Sequence, residues 1–219
     1  MLVSSRVTVS SALLLGASLL LGACSESGPG NSANKGSPSV RPPAPVAAAP
    51  APAARSAAPV TPVPGAVEAV IAKGTGFAVG ANMMAAKVLY VLFDPQCPHC
   101  GHLWETTKPL AKEIRIVWMP VAFMAAKSAP QGAAILAAAD PAATMNAHEA
   151  RLSANLGGME PPANPDPALL AKIAANTALW QELKGASVPL LVFKDPASGQ
   201  SSTLEGALET DQLKQLMRL

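Results

Sequence analysis

The chain has 219 residues and a formal net charge of +2, with 14% of its residues charged. So sparse and balanced a charge lacks the clustered Lys and Arg that nucleic acid requires, which excludes that class of partner. Half of the residues are hydrophobic but only 4% are aromatic, so the chain can hold one domain whose core uses few large side chains.

The first segment, "MLVSSRVTVSSALLLGASLLLGAC", carries Arg6, an apolar run from Ala12 to Leu21, and small residues before Cys24. A bilayer-spanning helix needs about 20 apolar residues, and this run is shorter, with the layout of a secretory signal. "LGAC", residues 21–24, resembles the lipobox of bacterial lipoproteins. The resemblance implies cleavage after residue 23, acylation of Cys24 and anchoring through more than one acyl chain. Ser25, in place of an aspartate, implies the periplasmic face of the outer membrane. With Cys24 acylated, only Cys97 and Cys100 remain as thiols, in a compartment where disulfides persist, so they are each other's partner.

Residues 24–64 are rich in Pro, Ala, Ser and Gly and hold almost no large apolar side chain. Such a segment cannot bury enough surface to offset its conformational entropy and is expected to be a disordered tether. Stretched fully, its roughly forty residues would reach on the order of 100 Å from a membrane.

The folded domain is expected over residues 65–219. "AVEAVIAKG" (66–74) has weak helical spacing with Gly74 as its stop, and "GFAVG" (76–80) suits a short edge strand. "KVLYVLF" (87–93) is a continuous apolar run of strand length, the pattern of a strand buried on both faces. "LWETTKPLAKE" (103–113) reads as a helix bent at Pro109, and "IRIVWMPVAF" (114–123) as a second buried strand. From about 125 to 183 run alanine-rich helical segments, interrupted by the loop "GGMEPPANPDP" and ending in a helix closed by Gly185. "SVPLLVFKD" (187–195) and "SSTLEGA" (201–207) form a predicted hairpin, followed by a last helix, "ETDQLKQLMRL".

Between the first buried strand and its helix lies "FDPQCPHC" (93–100). If Cys97 caps the helix, Pro98 occupies the first helical position, where fixed φ and a missing N–H do no harm. Cys97 then faces unpaired backbone N–H groups and the positive end of the helix dipole, both of which stabilise a thiolate. His99 can add a positive charge or a hydrogen bond to the same sulfur. Cys100, one turn deeper, would be the resolving thiol. Favouring the thiolate favours the dithiol and makes the disulfide the stronger oxidant.

These residues, with "LW" at 103–104, the helical insert and "VPLLVF" at 188–193, resemble the catalytic domain of periplasmic thiol:disulfide interchange proteins of the DsbG/DsbC type. The resemblance implies a thioredoxin-like α/β fold with a central mixed sheet and a helical insertion. It also implies that Cys97 is the exposed nucleophile, Cys100 its buried partner, Pro189 a cis-proline and Val188 the residue whose backbone pairs with substrate. The Cys97–Cys100 disulfide serves as the redox centre, with no organic cofactor and no metal. Expected partners are exported proteins with thiols or disulfides and a membrane redox partner. Pro98 and His99 depart from the Pro-Tyr pair usual in DsbG and are similar to the oxidant DsbA. Residues 25–64 cannot supply the dimerisation domain of the isomerases, so the expected product is a lipid-tethered, monomeric oxidant.

Other readings of the motif carry less. A structural disulfide across so short a loop would constrain the unfolded chain little. Cys97, His99, Cys100 and His102 crowd together, which makes a copper-binding lipoprotein the alternative from another class, but no second ligand pair is visible. His148 and His102 read as solvated, Trp104 and Trp118 as core residues, Asp94 as part of a turn, and Asp195 and Glu205 as ordinary turn and strand charges.

Overall fold

The computed structural model describes residues 59–81 and 87–219. The signal-like segment, Cys24 and the tether up to residue 58 lie outside the described residues.

Six strands form one mixed sheet in the order β1-β6-β5-β3-β4-β2. The elements are β1 (Thr61–Pro62), α1 (Ala66–Lys73), β2 (Phe77–Gly80), β3 (Val88–Phe93), α2 (Pro98–Thr107), β4 (Arg115–Pro120), α3 (Ser128–Ala137), α4 (Pro141–Ser153), α5 (Pro167–Glu182), β5 (Leu190–Lys194), β6 (Ser201–Glu205) and α6 (Thr210–Met217). β3 and β4 run parallel across the α2 crossover, and every other strand pair is antiparallel. β3 sits between β4 and β5, and its Leu89, Val91, Leu92 and Phe93 expose no surface. Its apolar run is therefore the centre of the sheet, and its last residue delivers the chain to the cysteine motif. The edge strand β2, the β5–β6 hairpin and the closing helix α6 stand where their sequence patterns place them.

Several boundaries move. Order begins before Gly65, because Thr61 and Pro62 pair with Thr203 and Ser202 of β6 and cover part of that edge. The strand expected over 114–123 stops at Pro120; beyond Val121 the N–H groups of Phe123 and Met124 turn to the Asp94 carboxylate instead of a neighbouring strand. The helix through Pro109 does not bend but ends at Thr107, and the chain continues as a 3-10 turn, Lys108–Leu110. Proline has no N–H to extend the ladder, and its ring clashes with the preceding turn. After α5 the left-handed position is taken by Lys184, at φ 57°, rather than by Gly185. Gly185 is needed for another reason: a Cβ there would strike the Trp180 indole. Val88 and Tyr90 are only half-buried, so β3 is covered on both faces along its second half alone.

The insert folds as α3, α4 and α5. α3 packs on α5, while α4 packs on α2 and so brings an alanine-rich helix against the cysteine-bearing one. Beneath α2 the core is aromatic: Trp104 meets Trp118 at 5.1 Å between ring centroids, and Trp118 meets Phe93 edge-on at 5.5 Å. Trp104 is buried, and its indole N–H donates to Asn146 Oδ1 at 2.8 Å, so it ties α2 to α4.

Candidate active site

Asp94, read from sequence as part of a turn, is completely buried. Its carboxylate accepts four hydrogen bonds: from the N–H of Gln96 (2.9 Å), Phe123 (2.9 Å) and Met124 (3.0 Å), and from the Ser128 hydroxyl (2.6 Å). A buried carboxylate is tolerable when its lone pairs are filled in this way. Asp94 thereby fixes the loop before the motif to the loop that follows β4, and its carbonyl receives the Cys97 N–H at 2.9 Å.

Cys97 occupies the N-cap of α2 with extended backbone angles (φ −94°, ψ 111°), and Pro98 opens the helix. The carbonyl of Cys97 accepts from the N–H of Cys100 at 3.0 Å and of Gly101 at 3.3 Å. In this structure Cys97 and Cys100 are both free thiols. Only 2% of Cys97 is exposed, where an open nucleophile was expected. Val188 roofs it: the Cys97 thiol reaches the Val188 carbonyl at 3.5 Å. The Val188–Pro189 peptide is cis, and Pro189 is buried.

The two sulfurs are held in different electrostatic states. The Cys97 thiol is shifted below its ordinary range, first because Cys100 donates a hydrogen bond to it and then through the N–H groups of Cys100 and His99, with burial and the Asp94 charge opposing. Burial pushes the Cys100 thiol well up, and the neighbouring Cys97 charge adds to this. Pro98 and His99 lie at the surface. His99 acts on Cys97 through its backbone N–H. His102 Nε2 pairs with Glu209 Oε1 at 2.8 Å on the exposed side of α2. Among the described residues no three His, Cys, Asp or Glu side chains are grouped to hold a metal ion.

Residues 81–219 match the family described as thioredoxin-like domain. The chain belongs to the thioredoxin-like family. Among curated proteins this thioredoxin-like chain is 28% identical over 135 residues to the thiol:disulfide interchange protein DsbG of Pseudomonas aeruginosa, a match covering 61% of the chain and 52% of that protein. It is 27% identical over 137 residues to DsbG of Escherichia coli, covering 60% and 52%. The chain thus spans about half the length of the curated relatives it matches. The fold is shared with the catalytic domain of Proteus mirabilis ScsC, at TM-score 0.54 and 20% identity over 69% of this chain and 96% of that one. It is shared also with a periplasmic thioredoxin-like protein from Salmonella enterica serovar Typhimurium, at TM-score 0.54 and 16% identity, covering 70% and 94%.

Three polar residues around the thioredoxin-like site were not legible as such. Glu149 on α4 is 3% exposed, and neither carboxylate oxygen has a hydrogen-bond partner among the described residues. It lies so close to Gly101 that a Cβ at that position would collide with it. Burial, then the charges of Cys97 and Glu105, raise its pKa from 4.5 to about 8. His148, read as solvated, is completely buried: Nε2–H donates to the Pro95 carbonyl at 2.6 Å, and Nδ1 accepts from the Met159 N–H at 3.1 Å. Glu205, read as an ordinary charge, accepts from the Ala186 N–H (2.7 Å) and the Ser187 hydroxyl (2.9 Å), and so holds the segment that leads into the cis-proline. The one signal for the first two was the spacing of Met145, His148, Glu149 and Leu152 at i, i+3, i+4 and i+7, a core-facing stripe hidden among alanines.

Proposed function

We propose that this protein is a periplasmic thiol:disulfide oxidoreductase that donates the Cys97–Cys100 disulfide to exported proteins. The observation that carries the reading is the division of labour between two sulfurs one helical turn apart. Cys97 is acidified by the Cys100 thiol and two backbone N–H groups, while Cys100 is sealed from solvent and its thiol form is favoured. Names of the DsbG relatives support the reaction class, and the description of the Salmonella neighbour as periplasmic agrees with the signal-like leader.

In the forward direction a substrate thiolate attacks Cys97 Sγ, a mixed disulfide forms and the Cys97–Cys100 bond breaks. Cys100 leaves as a thiolate and needs a proton, since its thiol form is strongly favoured. With a pKa near 8, Glu149 still carries its proton around neutrality, and it stands beside Gly101, the residue after Cys100, as the nearby acid. A second substrate thiolate then attacks the substrate sulfur of the mixed disulfide and displaces Cys97. Two electrons and one new disulfide balance the turnover. An acidic Cys97 is the better leaving group, which directs net flow toward substrate oxidation. Val188, whose backbone carbonyl already meets Cys97, is positioned to pair with an extended substrate segment beside Pro189. A membrane redox partner must then reoxidise the pair. Cys24 would hold the protein at the outer membrane as a tethered monomer.

Equilibration of the dithiol against glutathione buffers, read by thiol trapping, tests the direction. The expected potential lies toward the oxidising end of the superfamily, near about −120 mV rather than the about −270 mV of a reductant. A value at the reducing end would reverse the assignment. Loss of all exchange in Cys97→Ser, with retention of single-turnover mixed-disulfide formation in Cys100→Ala, is expected for a nucleophile and resolving pair. Stoichiometric copper binding that abolishes exchange would instead favour the metal-handling alternative.

A further inference from the structure

Asp94, Pro95 and Gln96 lead the chain into Cys97, and two buried side chains of the insert hold Pro95 and Gln96. Gln131 on α3 exposes no surface, and its amide is bonded at both atoms: Oε1 accepts from Gln96 Nε2 at 2.6 Å, while Nε2 donates to the carbonyls of Gly157 (3.0 Å) and Met159 (2.7 Å). Gln96 Nε2 also donates to the Gly157 carbonyl, at 3.0 Å. His148 on α4 makes a second bridge between the same two segments, from the Pro95 carbonyl to the Met159 N–H. Both bridges end on the loop at 157–159, and that loop is itself tied down. Lys127 Nζ donates to the Gly157 carbonyl at 2.8 Å, and Arg151 Nε to the Gly158 carbonyl at 2.9 Å. So close an approach requires glycine: Gly157 and Gly158 have φ of 72° and 78°, and a Cβ at 158 would strike the His148 ring.

We propose that Gln131 is a positioning residue for Cys97, bracing Gln96 against the Gly157–Met159 loop so that the sulfur stays aligned with the first N–H groups of α2. This role rests on the exchange reaction proposed above and deepens it. A buried amide whose Nε2 faces two carbonyls can present only its oxygen to Gln96, so the contact fixes a direction as well as a distance. The turn at 94–97 closes on itself through the Gln96 and Cys97 N–H groups, both of which donate to Asp94. Side chains of the insert hold it in place: Ser128 on Asp94, His148 on Pro95 and Gln131 on Gln96. Of these three, the Gln131 brace acts on the residue next to Cys97. Hydrogen bonds weaken steeply as they lose alignment, so slack at Gln96 weakens the hold of the helix start on the thiolate. Helix α3 and the loop after α4 thereby act on the reactivity of the sulfur.

The test uses the full chain with Gln131→Met, Gln96→Met and the double variant. Methionine keeps the length of the side chain and removes its hydrogen bonds. Gln96 is only half-buried, so Gln96→Met keeps the test open should the fully buried substitution prevent folding. The pH profile of alkylation is measured on the reduced proteins, with the plateau at high pH as the reference rate. On the acidic limb, where rate follows the thiolate fraction, each single variant should react about threefold or more slowly than the parent. Equilibrium with glutathione should shift toward the protein disulfide, because a less stabilised thiolate makes a weaker oxidant. The double variant should lose no more than either single one, since both side chains act through one contact. A folded Gln96→Met with the parent's alkylation profile and glutathione equilibrium, even if less stable to urea, would overturn the positioning role and leave the exchange reaction standing. Losses that add in the double variant would overturn the shared brace. A parent protein that exchanges no disulfide with glutathione would overturn the exchange reaction and the brace's role in it.

Discussion

The carboxyl of Glu149 rests against the Cα of Gly101, so that the residue following Cys100 has no room for a side chain, and a buried acid with no hydrogen-bond partner among the described residues stands beside the redox pair. An acid so placed is costly to ionise; its charge pushes the Cys100 thiol further up, and the Cys97 charge in turn raises its own pKa. The carboxyl comes from the inserted helix α4, so the insert takes part in the electrostatics of the site.

Glu149 makes stability depend on pH in a defined direction. Its folded-state pKa, about 8, lies above the ordinary 4.5, so its contribution is complete below 4.5 and is lost as pH rises through 8. The slope approaches about 1.4 kcal/mol per pH unit within that window. Urea unfolding of the reduced protein and of Glu149→Gln between pH 5 and 9 should show the variant gaining on the parent as pH rises. At pH 9 the difference should be on the order of 2 kcal/mol or more. Parallel pH profiles would mean that Glu149 is ionised throughout.

Gly101→Ala should destabilise the domain by about 1–3 kcal/mol, the usual cost of overfilling a packed contact. The obstruction is the Glu149 carboxylate, so Gly101→Ala/Glu149→Ala should recover much of the loss, whereas Gly101→Ala/Glu149→Gln should not. A double-mutant cycle by chemical denaturation separates these outcomes. Additive losses would show that helix α2, not Glu149, resists the methyl group.

The acidity of Cys97 depends first on the Cys100 thiol. Replacing Cys100 by alanine removes that donor and leaves the backbone N–H groups in place, so the Cys97 pKa should rise while remaining governed by the helix start. The pH profile of alkylation rate, or the ultraviolet absorbance of the thiolate, measures it directly. An unchanged profile would assign the acidity to the helix terminus alone.

His148 is neutral by construction, because one ring nitrogen donates to Pro95 while the other accepts from Met159. Burial lowers its pKa from 6.5, so its contribution is complete above 6.5 and is lost as pH falls toward the folded-state value. His148→Phe leaves the Pro95 carbonyl and the Met159 N–H without their partner and should cost about 2 kcal/mol or more at pH 7.5. The loss should shrink on acidification. Constant loss across pH would show that packing, not hydrogen bonding, is what the ring supplies.

Glu149, His148, Asp94 and Glu205 share a reason for being missed. Each is a polar residue whose role begins only when a distant segment closes over it: Gly101 on Glu149, Pro95 and Met159 on His148, Phe123 and Met124 on Asp94, Ala186 and Ser187 on Glu205. In the sequence such residues look like surface charges, because that is what most of them are. The alanine-rich insert gave little contrast between its faces, and the side of α4 that turns inward was therefore not evident.

What the amino-acid order determined alone is what acts over a few residues. The apolar run of β3 commits to the middle of a sheet, and Cys97 followed by Pro98 commits to a helix start with a sulfur at its N-terminus. The cis peptide before Pro189, the Val188 roof over Cys97 and the acid beside Cys100 were decided by tertiary structure. Periodicity and capping are local forces that a short window records, whereas burial of a charge depends on which surfaces, far apart in the chain, exclude water together.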